Sequence, residues 1–199
     1  MTNQHQSAQT TVDSRGIDWE QAQRATRLLL ESLGENPDRE GLTETWQRRL
    51  PASLETLTEG QRETAKPDMR TFEAETDDLV IKTGIPVYSL CEHHMLPYHG
   101  TAHIGYRPDE TVVGLSKLSR YVRWQSRRLT IQEGLTREIA DGLAEEVHAD
   151  GVVVELTATH LCEAMRGVET ATETTTQATV GNITATDRQR FRAAIDNHE

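Results

Sequence analysis

Between residues 78 and 181 the chain changes its hydrophobic period twice, and the order of those changes leaves few folds open. "DLVIKTGIPVYSL" is rich in β-branched residues and predicts a strand, bent at Gly84–Pro86. "TAHIGYRPDETVVGL" predicts a strand, a Pro-Asp turn and a short strand. From Ser116 the period becomes helical. Leu118, Tyr121, Val122, Gln125 and Leu129 form one stripe, and Lys117, Arg120, Arg123 and Arg127 another. A second helix is expected from about Gln132 to His148, with Leu135, Ile139, Leu143 and Val147 inward. "GVVVELTATHL" and the Thr-rich "TETTTQATVG" return to strand. Strands at both ends with helices between them give an α+β plan, about four strands with two long helices on one sheet face.

Upstream, "DWEQAQRATRLLLESLGE" has an acidic start, apolar positions at Ala22, Ala25, Leu28, Leu29 and Leu33, and Gly34 as a stop, the pattern of an amphipathic helix. A second helix is expected over Thr43 to Leu57, interrupted near Pro51, and residues 60–77 read as a charged loop. The expected division is a disordered tail over residues 1–16, an N-terminal helical segment over 17–60, a main domain over 61–185 and a helical or tail segment over 186–199. No run approaches the ~20 apolar residues of a membrane span, and the polar start lacks a signal peptide's apolar region, so the reading is cytoplasmic, with no membrane partner. A formal charge of −11 argues against nucleic acid as a partner, and it requires any polyanion site to be a local basic island.

"SLCEHHMLPYHG" places Cys91 three residues before His94, with His93 between them. A thiolate and an imidazole at that spacing reach one tetrahedral ion from a single turn, and zinc favours such ligation. The other cysteine, Cys162, stands in "THLCEAMRG" at the end of an expected strand. A disulfide between the two is disfavoured in an intracellular chain. A closed structural site needs four protein ligands, so a second histidine would have to join: His93, His160, His99 or His103. An open site of Cys91, His94 and Cys162 explains more, because His93 and His160 then stand beside the ligands, placed to move protons while the metal activates water. His99 and His103 read as an ordinary loop histidine and strand histidine.

"GLSKLSRYVRWQSRRL" brings a helix start, a hydroxyl and two cations together. Ser116, Lys117 and Arg120 are either a phosphate site or part of a solvated basic face, whereas Arg123, Arg127 and Arg128 read as the solvated face. In "TIQEGL", Thr130 and Glu133 fit a capping box, in which the carboxylate only caps a helix. Alternatively Glu133 accepts two hydrogen bonds from a guanine-like N–H and amino edge. Residue types alone leave both choices open.

Taken together, "CEHHMLPYHGTAHIGYRP", "VVGLSKLSRYV", "RRLTIQEGLTREIADGL" and "THLCEAMRGV", in this order and spacing, resemble the GTP cyclohydrolase I family. The resemblance covers about residues 18–181, including "NPDREGLTET". It implies a tunnelling fold whose subunits close their sheets into a barrel, and homo-oligomers that are decamers of two pentamers with sites at subunit interfaces. It implies the conversion of GTP and water to 7,8-dihydroneopterin triphosphate and formate, the first step toward folate-type or biopterin-type cofactors. Position by position, Cys91, His94 and Cys162 match the family's zinc ligands and His93 and His160 its catalytic histidines. Ser116, Lys117, Arg120 and Arg166 match residues around ribose and triphosphate, and Gln132 and Glu133 those that hold guanine. Three stretches depart from the family pattern: Thr101 stands where a basic residue is common, "ETATETTTQ" replaces a basic stretch, and "TWQRRL" replaces a usual Thr-Pro. A competing reading is a non-catalytic zinc-stabilised oligomer that binds a pterin or nucleotide; such a protein has no need of both His93 and His160.

Overall fold

The computed structural model describes residues 16–198; apart from Gly16, the tail expected over residues 1–16 lies outside the described residues. Internal contacts divide the chain into two units, residues 16–56 with 62–64, and residues 57–61 with 65–198.

The first unit is helical. In α1 (Trp19–Ser32) the Asp18 carboxylate accepts from the Gln21 amide at 2.9 Å and so caps the helix, and Gly34 leaves it at φ +80°. The helix expected from Thr43 begins earlier, as α2 (Glu40–Glu44), widens into a π-helical turn over Thr45–Arg49, and resumes as α3 (Leu50–Leu57). Pro51 explains the widening. It has no N–H for the carbonyl of Gln47 four residues back, and its ring would strike that carbonyl in a regular helix. The freed Gln47 oxygen accepts instead from the side-chain amide of Gln23 on α1 at 2.7 Å. Leu28, Leu29 and Leu33 of the expected apolar stripe are exposed.

The second unit carries the sheet. A short β1 (Thr71–Glu73) lies within the stretch expected as loop. The long β2 (Val80–Cys91) and β3 (Pro97–Arg107) follow, then β4 (Thr111–Val113), α4 (Leu115–Ser126), the two-residue β5 (Leu129–Thr130), α5 (Gln132–Glu146), β6 (Gly151–His160), α6 (Leu161–Ala164), β7 (Glu173–Gly181) and α7 (Ala185–Asp196). The order in the main sheet is β5-β2-β3-β6-β7, antiparallel throughout except for the β2–β5 pair. The remaining strands, β1 and β4, form a separate antiparallel ribbon. The bend expected at Gly84–Pro86 is a register shift between Lys82 and Ile85, at which Gly84 takes φ +71°.

Alternation along β6 assigns the two faces. Val152, Val154, Leu156 and Ala158 join Leu118, Tyr121 and Val122 of α4 and Leu135, Ile139 and Leu143 of α5 in the main core. Each of the fully buried Val, Leu and Ile side chains contributes on the order of 1.5–3 kcal/mol. Val153 points the other way and packs with Phe191 and Ile195 of α7. The two long helices thus share one face as expected, and a third helix covers part of the opposite face. No helix among the described residues is long and apolar enough to cross a membrane.

Candidate metal centre and active site

The β2–β3 hairpin builds one half of the site. β2 ends at Cys91 and β3 starts at Pro97, so five residues must reverse the chain. The Cys91 carbonyl accepts from the amides of His94 (3.3 Å) and Met95 (2.8 Å), and the Cys91 amide donates to the Leu96 carbonyl at 2.9 Å. Closing this turn forces Met95 to φ +54°, a conformation that costs a non-glycine residue roughly 1 kcal/mol. The turn displays His93 and His94 with ring planes 89° apart, and brings His94 Nδ1 to 3.8 Å from Cys91 Sγ.

β6 supplies the other half. Its antiparallel pairing with β3 sets His160 opposite Tyr98, at the same end of the sheet as the hairpin turn. Cys162 follows in the first turn of α6, and the ligand atoms of Cys91, His94 and Cys162 all lie within 4.8 Å of one another. A tetrahedral zinc ion with bonds of about 2.0–2.3 Å spaces its ligands by roughly 3.3–3.8 Å, so the cluster fits after a contraction of at most about 1.5 Å. The donor chemistry fits as well. Both thiols are free, and burial, followed by the neighbouring Cys91, pushes the Cys162 thiol up, a shift that a cation between the sulfurs would oppose. Among the described residues no fourth His, Cys, Asp or Glu joins the cluster. The three donors of the open-site reading are the ones brought together.

A cavity of about 270 Å³ opens at this cluster, lined by Cys91, His93, His94, Gln132, Glu133, His160 and Cys162 from the expected set. Thr130, Ile131, Glu163 and Thr174 complete the lining; of these, sequence reasoning named only Thr130, and Thr174 arrives on β7. Burial lowers the His160 imidazole's proton affinity, partly opposed by the carboxylates of Glu133 and Glu163.

The capping-box reading of Glu133 does not survive. The N-cap of α5 is Ile131 and makes no side-chain cap, while Thr130 Oγ1 is engaged by Ser89 (2.7 Å) and Tyr98 (2.5 Å). Glu133 is left exposed at the helix start, facing the cavity. Gln132 is different, being only 2% exposed, and its amide is held inside the protein. Ser116, Lys117 and Arg120 lie on the first turns of α4 and do not line the cavity. Lys117 instead stands 3.8 Å from Asp68. Arg166, exposed just past α6, is near enough for its charge to act on Cys162. His99 and His103, expected as a loop and a strand residue, both sit on β3.

Residues 22–196 match the family model described as GTP cyclohydrolase I. The chain is 45% identical over 168 residues to the GTP cyclohydrolase 1 of Corynebacterium aurimucosum, covering 83% of this chain and 86% of that one. It is 43% identical over 184 residues to that of Bifidobacterium longum, covering 92% and 90%. It is also 46% identical over 167 residues to that of Hyperthermus butylicus, covering 84% of each. With nearly the whole described length matched, and the Cys-His-Cys cluster formed inside the matched region, the chain belongs to the GTP cyclohydrolase I family, and it is an enzyme.

Proposed function

We propose that this enzyme converts GTP and water to 7,8-dihydroneopterin triphosphate and formate, in the cytoplasm, with zinc held by Cys91, His94 and Cys162. The observation that carries the reading is the juxtaposition of three metal donors with His93, His160 and Glu133 around one cavity. Zinc bound to these donors supplies Lewis acidity that makes water nucleophilic near neutral pH. His160 and His93 move protons as the imidazole ring of the guanine opens and its formyl carbon departs as formate. Glu133, exposed and uncapped, accepts from the guanine N–H and amino edge.

The reading assigns the triphosphate and ribose to Ser116, Lys117, Arg120 and Arg166, a basic island within an acidic chain. A cavity of about 270 Å³ is at the small end for a ligand the size of a nucleoside triphosphate. This supports an assembly in which subunits complete one another's sites. The finer fold follows the same logic. Among the described strands β7 pairs only with β6, and β2 is open along most of its far edge, so both margins of the sheet are available for the tunnelling-fold barrel and the decamer of two pentamers. In this scheme residues 61–185 form the catalytic domain, with 17–60 and 186–199 as flanking segments. The test is to incubate the purified, zinc-loaded protein with GTP and assay formate together with a fluorescent pterin after oxidation. Both products are expected in equal amounts, and GTP recovered intact would overturn the proposal.

A further inference from the structure

The side-chain amide of Gln132 lies in a setting that permits one orientation. Its Nε2 is 2.9 Å from the Leu156 carbonyl oxygen, 2.8 Å from the Thr174 carbonyl oxygen and 3.2 Å from Thr176 Oγ1. Backbone carbonyls only accept, so the NH2 group must face them; a flipped amide would set its oxygen against two others. Gln132 Oε1 therefore points the opposite way, where it lies 2.7 Å from His160 Nε2. An amide oxygen only accepts, so Nε2 must carry the hydrogen. In the neutral ring this leaves the lone pair on Nδ1, which is paired with no described residue and is not sealed from solvent.

The ring plane is held as firmly as its edge. Tyr98 stacks on His160 with centroids 4.5 Å apart and planes 14° from parallel. The Tyr98 hydroxyl belongs to a buried chain of hydrogen bonds whose direction is set by its end. Ser89 Oγ donates to the Arg128 carbonyl at 3.1 Å, so Thr130 donates to Ser89 and Tyr98 donates to Thr130. Backbone carbonyls thus orient one imidazole by two routes, those of Leu156 and Thr174 through Gln132 and that of Arg128 through Ser89, Thr130 and Tyr98.

We infer that Gln132 is a positioning residue that locks His160 in the tautomer with hydrogen on Nε2, making Nδ1 the nitrogen that takes a proton in the cavity, and that its side chain does not touch the guanine. The functional part rests on the proton-transfer role proposed above; the lock itself does not. Neutron diffraction from crystals of the zinc-loaded protein grown in D2O at pH 8 reads the lock directly, without turnover. Deuterium is expected on Nε2 with Nδ1 bare, and deuterium on Nδ1 with Nε2 bare would overturn it.

Kinetics read its consequence. Gln132→Met should lower kcat about 10²-fold or more while the KM for GTP stays within about threefold, the pattern of a misplaced acid–base group. A rise in KM of tenfold or more at unchanged kcat, or no change in either, would overturn the positioning role. Added to His160→Ala, the substitution should cause little further loss, and a multiplicative loss would overturn it too. Failure of the underlying reading shows elsewhere: full turnover by His160→Ala removes the proton-transfer role and leaves the deuterium position as it was.

Discussion

Gly100→Ala is the perturbation that most directly couples the strand ladder to the chemistry. Gly100 on β3 pairs with Ala158 on β6, two positions along the ladder from the Tyr98–His160 pair. A Cβ at Gly100 would fall 2.6 Å from Ala158 Cα and 2.8 Å from Ala158 Cβ, with the Thr157 carbonyl oxygen nearer still. Against an ordinary contact distance of 3.4 Å, Ala158 alone must retreat by about 0.8 Å. The obstruction is mostly backbone, which cannot swing aside as a side chain can. Overpacking of this kind costs roughly 1–3 kcal/mol, and two loosened ladder bonds add about 1 kcal/mol each, so the expected loss is about 3–5 kcal/mol. Gly134→Ala is the control. Nothing lies within 4 Å of its Cβ, and in α5 alanine should be neutral or stabilise by up to about 1 kcal/mol. Urea unfolding of both variants, zinc-loaded and at matched concentration, gives the two numbers where the slopes agree with wild type. Folded Gly100→Ala should also lose turnover, because a widened ladder separates Tyr98 from His160. A Gly100→Ala protein within about 1 kcal/mol of wild type would show that the two strands are not held as close as described.

Cys162→Ala should lose both zinc and turnover while keeping its circular dichroism spectrum; metal analysis after dialysis should fall from about one ion per chain to near zero, and a metallated, active variant would mean a different ligand set. Glu133→Gln should reduce kcat/KM for GTP by about 10²-fold or more with stability unchanged within about 0.5 kcal/mol, since its carboxylate caps nothing; the reverse pattern would return it to a structural role. Asp187 is held at about 2, first by the Thr184 hydroxyl and then by Arg107 at 2.8 Å. A carboxyl depressed below its unfolded value stabilises the fold above pH 4 and loses that contribution as pH falls from about 4 to 2. The stability gap between wild type and Asp187→Asn should therefore be about 2 kcal/mol at pH 6 and roughly half of that at pH 3, and a gap independent of pH would contradict the linkage.

How far the sequence could be read depended on where each residue's partners come from. The helices α4 and α5 were legible because their partner is a whole sheet face, which imposes period on Leu118, Tyr121 and Val122 and on Leu135, Ile139 and Leu143. Cys91 and His94 were legible because one turn brings them together. β4 was legible as the short strand after the Pro-Asp turn, but its partner β1 was not, because three residues are too few to show alternation and the two strands lie some forty residues apart. α7 has only Phe191 and Ile195 as fully buried apolar anchors, although its capping box from Thr184 to Asp187 was a usable signal. At Thr130 the same signal left two readings open, and the structure decides against the cap because the hydroxyl answers to Ser89 and Tyr98, both distant in sequence, rather than to its own helix.

Gln132 marks the limit of such reading. The atoms that orient its amide are backbone oxygens at Leu156 and Thr174, and every residue type offers the same oxygen there. Sequence can therefore nominate His160 for acid–base work from its type and its distance to Cys162. Which of its nitrogens does that work is decided by strand register, because moving β6 or β7 by one residue would present the amide with a different pair of carbonyls and release the ring.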